Sequence, residues 1–110
     1  MGFFKNIARS IFANNAGDGW ITGGDYEHSA VSLGKVDGEE KLSIVTLKEL
    51  IYVVKSDVQD FATIETGAKW SHGNKNYVGN RYKVILKNGK SFIMSIIANS
   101  TSRFEAYFML

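Results

Sequence analysis

A chain of 110 residues has room for one hydrophobic core, because division would leave two units each too small to be stable. Its 45% apolar and 22% charged residues describe a globular domain rather than a disordered segment, and the absence of cysteine excludes a disulfide framework or a thiolate zinc site. The formal net charge of +2 hides an asymmetry: residues 1–65 hold six Lys/Arg and ten Asp/Glu, and residues 66–110 hold seven and one.

Charge segregation of this kind can attract an anionic partner or the acidic half of a second copy, although lysines also blunt exposed strand edges. No apolar run reaches the roughly 20 residues of a membrane span. With no secretory signal either, the expectation is a cytoplasmic protein, with peripheral membrane contact as its alternative.

Residues 3–13 have helical spacing, with Phe3, Ile7 and Ile11 in one row, Phe4, Ala8 and Phe12 in the next, and Lys5, Asn6, Arg9 and Ser10 opposite. So short a helix is marginal alone and must dock on the domain, on another subunit or on a membrane interface. Its apolar residues Phe3, Phe4, Ile7 and Ile11 are interface candidates. Residues 17–25 are rich in glycine and aspartate. They read as a linker whose Trp20 anchors on the core, so that residues 1–25 precede a single domain over residues 26–110.

Asp37-Gly38 signals a two-residue hairpin turn. It pairs Leu33 with Leu42, Val31 with Ile44 and Ala30 with Val45, gathers Val31, Leu33, Leu42 and Ile44 on one face, and sets Lys35 opposite Glu40. Thr46, Leu47, Lys48 and Glu49 fit a capping box that opens a helical turn. Alternatively the chain runs straight into a β-branched strand over residues 50–55. Residues 60–66 alternate as a further strand. Residues 67–80, with three of the eleven glycines, read as a long loop or an irregular hairpin carrying Trp70 and Tyr77 at its margins.

Asn88-Gly89 is the strongest turn signal in the chain. A two-residue loop there would pair Leu86 with Ser91, Ile85 with Phe92, Val84 with Ile93, Lys83 with Met94 and Tyr82 with Ser95. One face then carries Tyr82, Val84, Leu86, Ile93 and Ile97. The other carries Ile85, Phe92, Met94 and Ile96 among Arg81, Lys83, Lys87 and Lys90, and so much apolar surface calls for a cover, either the N-terminal helix or a second subunit. Ser102, Arg103, Phe104 and Glu105 form a capping box that opens a closing helix, with Phe104, Tyr107 and Phe108 toward the sheet.

The expected class is α+β, mainly β: an antiparallel meander forming two packed sheets or a partly open barrel, capped by a C-terminal helix. The hairpin over residues 31–45, the segment TLKELIYVV over residues 46–54, the run RYKVILKNGKSF over residues 81–92 and the helix over residues 103–110 together resemble a bacterial pleckstrin-homology-like (PH-like) domain. The start MGFFKNIARSIF is similar to amphipathic leaders on such proteins. The resemblance implies a binding or scaffolding role without catalysis, often in an oligomer. Phosphoinositide-binding members place Lys/Arg in the first hairpin loop, where this chain has Asp37, Glu39 and Glu40.

No motif points to catalysis or a cofactor. His28 and His72 are far apart and outside ligand spacing, and no Gly-x-Ser-x-Gly elbow occurs. Lys69, Lys75, Arg81, Lys83, Lys87 and Lys90 interleave with Trp70 and Tyr77, a combination that could hold an anionic partner, nucleic acid included. The expected function is therefore a non-enzymatic module that binds a protein partner or itself. Attachment to an anionic membrane, or to a nucleic-acid-handling complex, is the alternative.

Overall fold

The computed structural model describes residues 17–109. The helix expected over residues 3–13, with Phe3, Phe4, Ile7 and Ile11, lies outside the described residues, as does Leu110. Strands β1 (Gly19–Gly24), β2 (Ala30–Val36), β3 (Glu39–Val45), β4 (Leu50–Val53), β5 (Val58–His72), β6 (Lys75–Leu86) and β7 (Ser91–Ile97) are followed by helix α1 (Thr101–Phe108). All seven form one antiparallel sheet in the order β4-β3-β2-β1-β7-β6-β5, curled into a half-barrel. The mainly β expectation with a C-terminal helix holds, and of the two architectures considered the partly open barrel is the one adopted.

The β2–β3 hairpin has the expected register throughout, from Ala30 against Val45 to Lys35 against Glu40. Asp37 (φ 54°) and Gly38 (φ 82°) both take the positive φ of a type I′ turn. After β3, Thr46 forms no helical turn. Its hydroxyl accepts the amides of Lys48 (3.1 Å) and Glu49 (2.9 Å) and so tightens the bend directly into β4, the alternative expected. Residues 67–80 are the irregular hairpin rather than the loop, and the residue 60–66 segment belongs to the same long strand β5.

Three expectations are overturned. Residues 17–25 are no linker. Gly19–Gly24 is the central strand, pairing with β2 on one side and β7 on the other. A glycine-rich run serves here because the backbones pass very close: a Cβ on Gly19 would stand 2.1 Å from the Ser95 carbonyl oxygen.

The second correction concerns the terminal hairpin, which closes one residue out of the expected register, with Val84 against Phe92, Tyr82 against Met94 and Arg81 against Ser95. Its loop has three residues. The Leu86 amide donates to the Lys90 carbonyl (2.8 Å), the Gly89 amide donates back to Leu86 (3.0 Å), and only Gly89 takes positive φ (91°). Asn88 instead accepts the Lys90 amide with its side-chain oxygen (2.9 Å), which favours the turn-plus-bulge form over type I′. A one-residue slip inverts every side chain of β7. Phe92, Met94 and Ile96 therefore join the core, and Ile93 and Ile97 sit half-buried on the convex face beside Ile85.

The concave face thus collects Ile21, Val31, Leu33, Leu42, Ile44 and Val53 from the first four strands, and Tyr82, Val84, Leu86, Phe92, Met94 and Ile96 from β6 and β7. Helix α1 fills the remaining opening with Phe104 and Phe108, the latter stacked on Phe61 of β5 (5.0 Å between centroids). Each such side chain contributes about 1.5–3 kcal/mol on burial. The Ser102–Glu105 capping box does not form. The helix starts two residues sooner, at Thr101 rather than Arg103, after a 3₁₀ turn over Ala98–Ser100, and Glu105 accepts a hydrogen bond from the Tyr82 hydroxyl instead.

Polar ties hold the helix at both sides of the opening. The buried Asp18 accepts the Leu33 amide, the Ser100 hydroxyl and the Arg103 guanidinium, each at 2.7 Å, while Arg103 also donates to the Leu33 carbonyl (2.8 Å). The Tyr107 hydroxyl donates to the Glu40 carbonyl and accepts the Lys55 amide, both at 2.9 Å.

Candidate functional site

Strands β5 and β6 outrun the rest of the sheet. Gly79 is the first β6 residue paired with β7, so residues 69–72 and 75–78 make a two-stranded arm beyond it. Three register shifts in β5, between Val58 and Ala68, give that strand its bend. At Gly79 a Cβ would lie 1.8 Å from the Ile96 carbonyl oxygen, so only glycine lets β6 cross β7 so closely before the arm departs.

Alternation along the arm places Trp70, His72, Lys75 and Tyr77 on one face and Lys69, Ser71, Asn76 and Val78 on the other. The first face folds over Trp20 of β1. His72 stacks on the Trp20 ring (4.2 Å, 19° between planes), Tyr77 lies 4.8 Å away and Trp70 meets it edge-on at 6.4 Å. Trp70 and Tyr77, direct cross-strand partners, stack at 6.1 Å. These contacts leave Trp20 buried on the convex side, opposite the main core.

Around the arm runs an open groove of about 480 Å³ lined by Lys69, Trp70, Ser71, Asn76, Tyr77 and Val78. Val78 is 49% exposed, and the indole N–H of Trp70 is buried without a hydrogen-bond partner among the described residues. An unmet donor costs roughly 1–3 kcal/mol. The groove offers aromatic surface, one apolar side chain and cationic charge.

The candidate anion-binding residues do not come together. Lys69, Trp70, Lys75 and Tyr77 share the arm. Arg81 is occupied: it pairs with Glu65 at 3.1 Å and donates to the Ser95 hydroxyl (3.1 Å) and the Lys69 carbonyl (3.4 Å). Lys83 is exposed on the convex face. Lys87 and Lys90 belong to the β6–β7 turn, at the far end of β6 from Lys75. Of the interface candidates on the terminal hairpin, Phe92, Met94 and Ile96 are core residues and Ile85 alone stays half-exposed, a consequence of the shifted register.

A second cleft, about 470 Å³, lies between β4 and the β6–β7 turn, lined by residues that include Tyr26, Ile51, Tyr52, Asp57 and Lys87. The Lys90 ammonium stands 5.9 Å over the Tyr26 ring, and the Lys87 amide donates to the Asp57 carbonyl (2.9 Å), closing the turn onto the 3₁₀ segment Lys55–Asp57. Among the described residues no group of three or more His, Asp or Glu gathers, and no helix is long and apolar enough to cross a membrane.

Burial pushes the Tyr82 hydroxyl up to about 12; Glu105, which accepts its proton, adds to the rise, and the Asn80 amide opposes it. Sequence reasoning found Trp70 and Tyr77 but not Trp20 and His72 as their companions. The available signal was the alternation of Trp70 with His72 across the turn from Lys75 and Tyr77.

Comparison with known proteins identifies no relative: no family model, no curated protein and no solved structure matches the chain.

Proposed function

We propose that the chain is a non-enzymatic binding and scaffolding module of the PH-like type, acting through protein–protein contact and self-association. Seven antiparallel strands curled around a core, with the opening filled by a C-terminal helix, are compatible with that type. The observation that carries the binding role is the two-stranded arm, which holds an aromatic groove out past the end of β7. A projecting arm whose aromatic side chains are braced from behind by Trp20 is a preorganised contact surface, and bracing reduces the ordering cost of association.

Burial of Phe92, Met94 and Ile96 removes the exposed apolar face first expected to drive self-association. Support for a second copy now comes from charge. Residues 17–57 hold eight Asp/Glu and four Lys, residues 58–109 hold three Asp/Glu and seven Lys/Arg, and the strand order sends these halves to opposite edges of the sheet. Copies meeting acidic half to basic half attract one another. Sedimentation velocity across a wide concentration range tests the reading. The weight-average mass is expected to rise with concentration and to fall back as salt is added, and a monomer at every concentration in low salt would overturn self-association.

A further inference from the structure

Asn88 is the one asparagine in the chain that precedes a glycine, and among the described residues it stands exposed at the tip of the β6–β7 turn. A glycine there leaves its amide nitrogen unscreened by a side chain. The space around it is open as well, with nothing within 4 Å of where a Gly89 Cβ would be. A nitrogen held this close to a side-chain amide can close a five-membered ring upon it.

The turn prepares one reactant and restrains the other. Asn88 Oδ1 accepts the Lys90 amide (2.9 Å), which folds the side chain back along the Gly89 peptide and draws electron density away from Cγ. The Gly89 N–H, by contrast, is donated to the Leu86 carbonyl (3.0 Å). A peptide nitrogen attacks only after losing its proton, and in the closed turn that proton is held inside.

We infer that Asn88 is a site of non-enzymatic modification, converted to aspartate and isoaspartate when the β6–β7 turn opens. Hydroxide removes the Gly89 amide proton, and the nitrogen bonds to Asn88 Cγ. The Cγ–Nδ2 bond breaks, ammonia leaves with a proton taken from water, and a succinimide ring remains. Water then splits one of the two ring C–N bonds. Cleavage on the Cγ side gives aspartate, and cleavage on the main-chain side gives isoaspartate, whose backbone runs through Cγ. One water enters, one ammonia departs, and nothing is oxidised or reduced.

The two products act differently on the turn. Aspartate keeps an oxygen for the Lys90 amide and adds a negative charge to the cleft between β4 and the turn, which Asn88 lines beside Lys87. Isoaspartate inserts a methylene into the main chain of a three-residue loop, and so works against the closure of Leu86 on Lys90.

Incubation of the chain at mildly alkaline pH, followed by digestion and mass spectrometry, tests the assignment. Conversion is expected at Asn88 ahead of every other asparagine, since each of those is followed by a residue with a side chain. In urea it is expected at least about tenfold faster, the factor that matches an opening cost of about 1.4 kcal/mol in the folded turn. Gly89→Ala should slow it in urea, where strain in the folded turn plays no part. Conversion that begins at another asparagine, an Asn88 that stays intact in urea, or equal rates in the folded and unfolded chain would each overturn the inference.

Discussion

Asp18 is a single buried carboxylate on which a strand amide, a hydroxyl and a guanidinium converge, and its partners lie 15, 82 and 85 residues away. It joins the approach to the central strand to β2 and to the start of the helix at once. Removing it leaves the Leu33 amide and the Ser100 hydroxyl facing a dry site, while the half-exposed Arg103 turns to water, so Asp18→Ala is expected to cost roughly 2–4 kcal/mol by urea denaturation, and Asp18→Asn less, because it keeps an acceptor. Tyr82 behaves differently. Its raised pKa means that the folded state holds the phenolic proton after the unfolded chain, near 10, has lost it. The stabilisation is full below pH 10 and disappears as pH climbs toward 12. It is worth at most about 2–3 kcal/mol at 1.36 kcal/mol per pKa unit, and less to the extent that solvent screens the hydroxyl. Alkaline denaturation of wild type against Tyr82→Phe isolates it: the difference in stability between the two chains should narrow over that window, and a constant difference would disprove the assignment.

Elements differ in how far their own residues dictate them, and the two hairpin turns make the comparison. At Gly89 the positive φ of 91° and open surroundings make Gly89→Ala a matter of backbone strain alone, about 1–2 kcal/mol. At Gly79 φ is ordinary, but a Cβ would collide with the Ile96 carbonyl, so Gly79→Ala should cost several times more and release the arm, visible as lost protection of β5–β6 amides in hydrogen exchange. The Asp37-Gly38 turn was legible because turn type, apolar alignment and the Lys35–Glu40 pairing all demand one register. Asn88-Gly89 misled because Asn has two ways to serve a turn, and its side chain took the one that adds a residue to the loop. Alternation along β7 was the available corrective: the expected register turns Ser91 and Ser95 into the main core, whereas the observed one turns Phe92, Met94 and Ile96 inward and leaves Ser95 buried on the convex side, bonded to Thr22 and Arg81. Strand β1 was illegible for another reason. Its partners in β7 are more than 65 residues away, and nothing local distinguishes a glycine-rich central strand from a linker. Trp70 and Tyr77 could be picked out as neighbours across a turn, whereas Trp20 joins them only once β1 is placed.

Taken whole, the molecule is a sheet whose two ends, β4 and β5, follow one another in sequence yet are not paired with each other. What keeps the half-barrel from opening is the helix set between them. It reaches β3 and the Lys55 turn through Tyr107, β5 through Phe108 and β6 through Glu105. Phe104, wholly buried, fixes its depth. If the helix is the closure, weakening either side should unfold both halves together rather than fray the terminus. Phe104→Ala is expected to cost about 3–5 kcal/mol through the cavity it leaves, and Tyr107→Phe about 1–2 kcal/mol through the Lys55 amide and Glu40 carbonyl it strands. The informative measurement is where the loss appears. Native-state hydrogen exchange of Tyr107→Phe should show β3 amides, paired with β2 and far along the chain from the substitution, losing protection by the same amount as β6 amides. Loss confined to residues 101–109 would instead mean that the helix merely rests on a sheet stable without it.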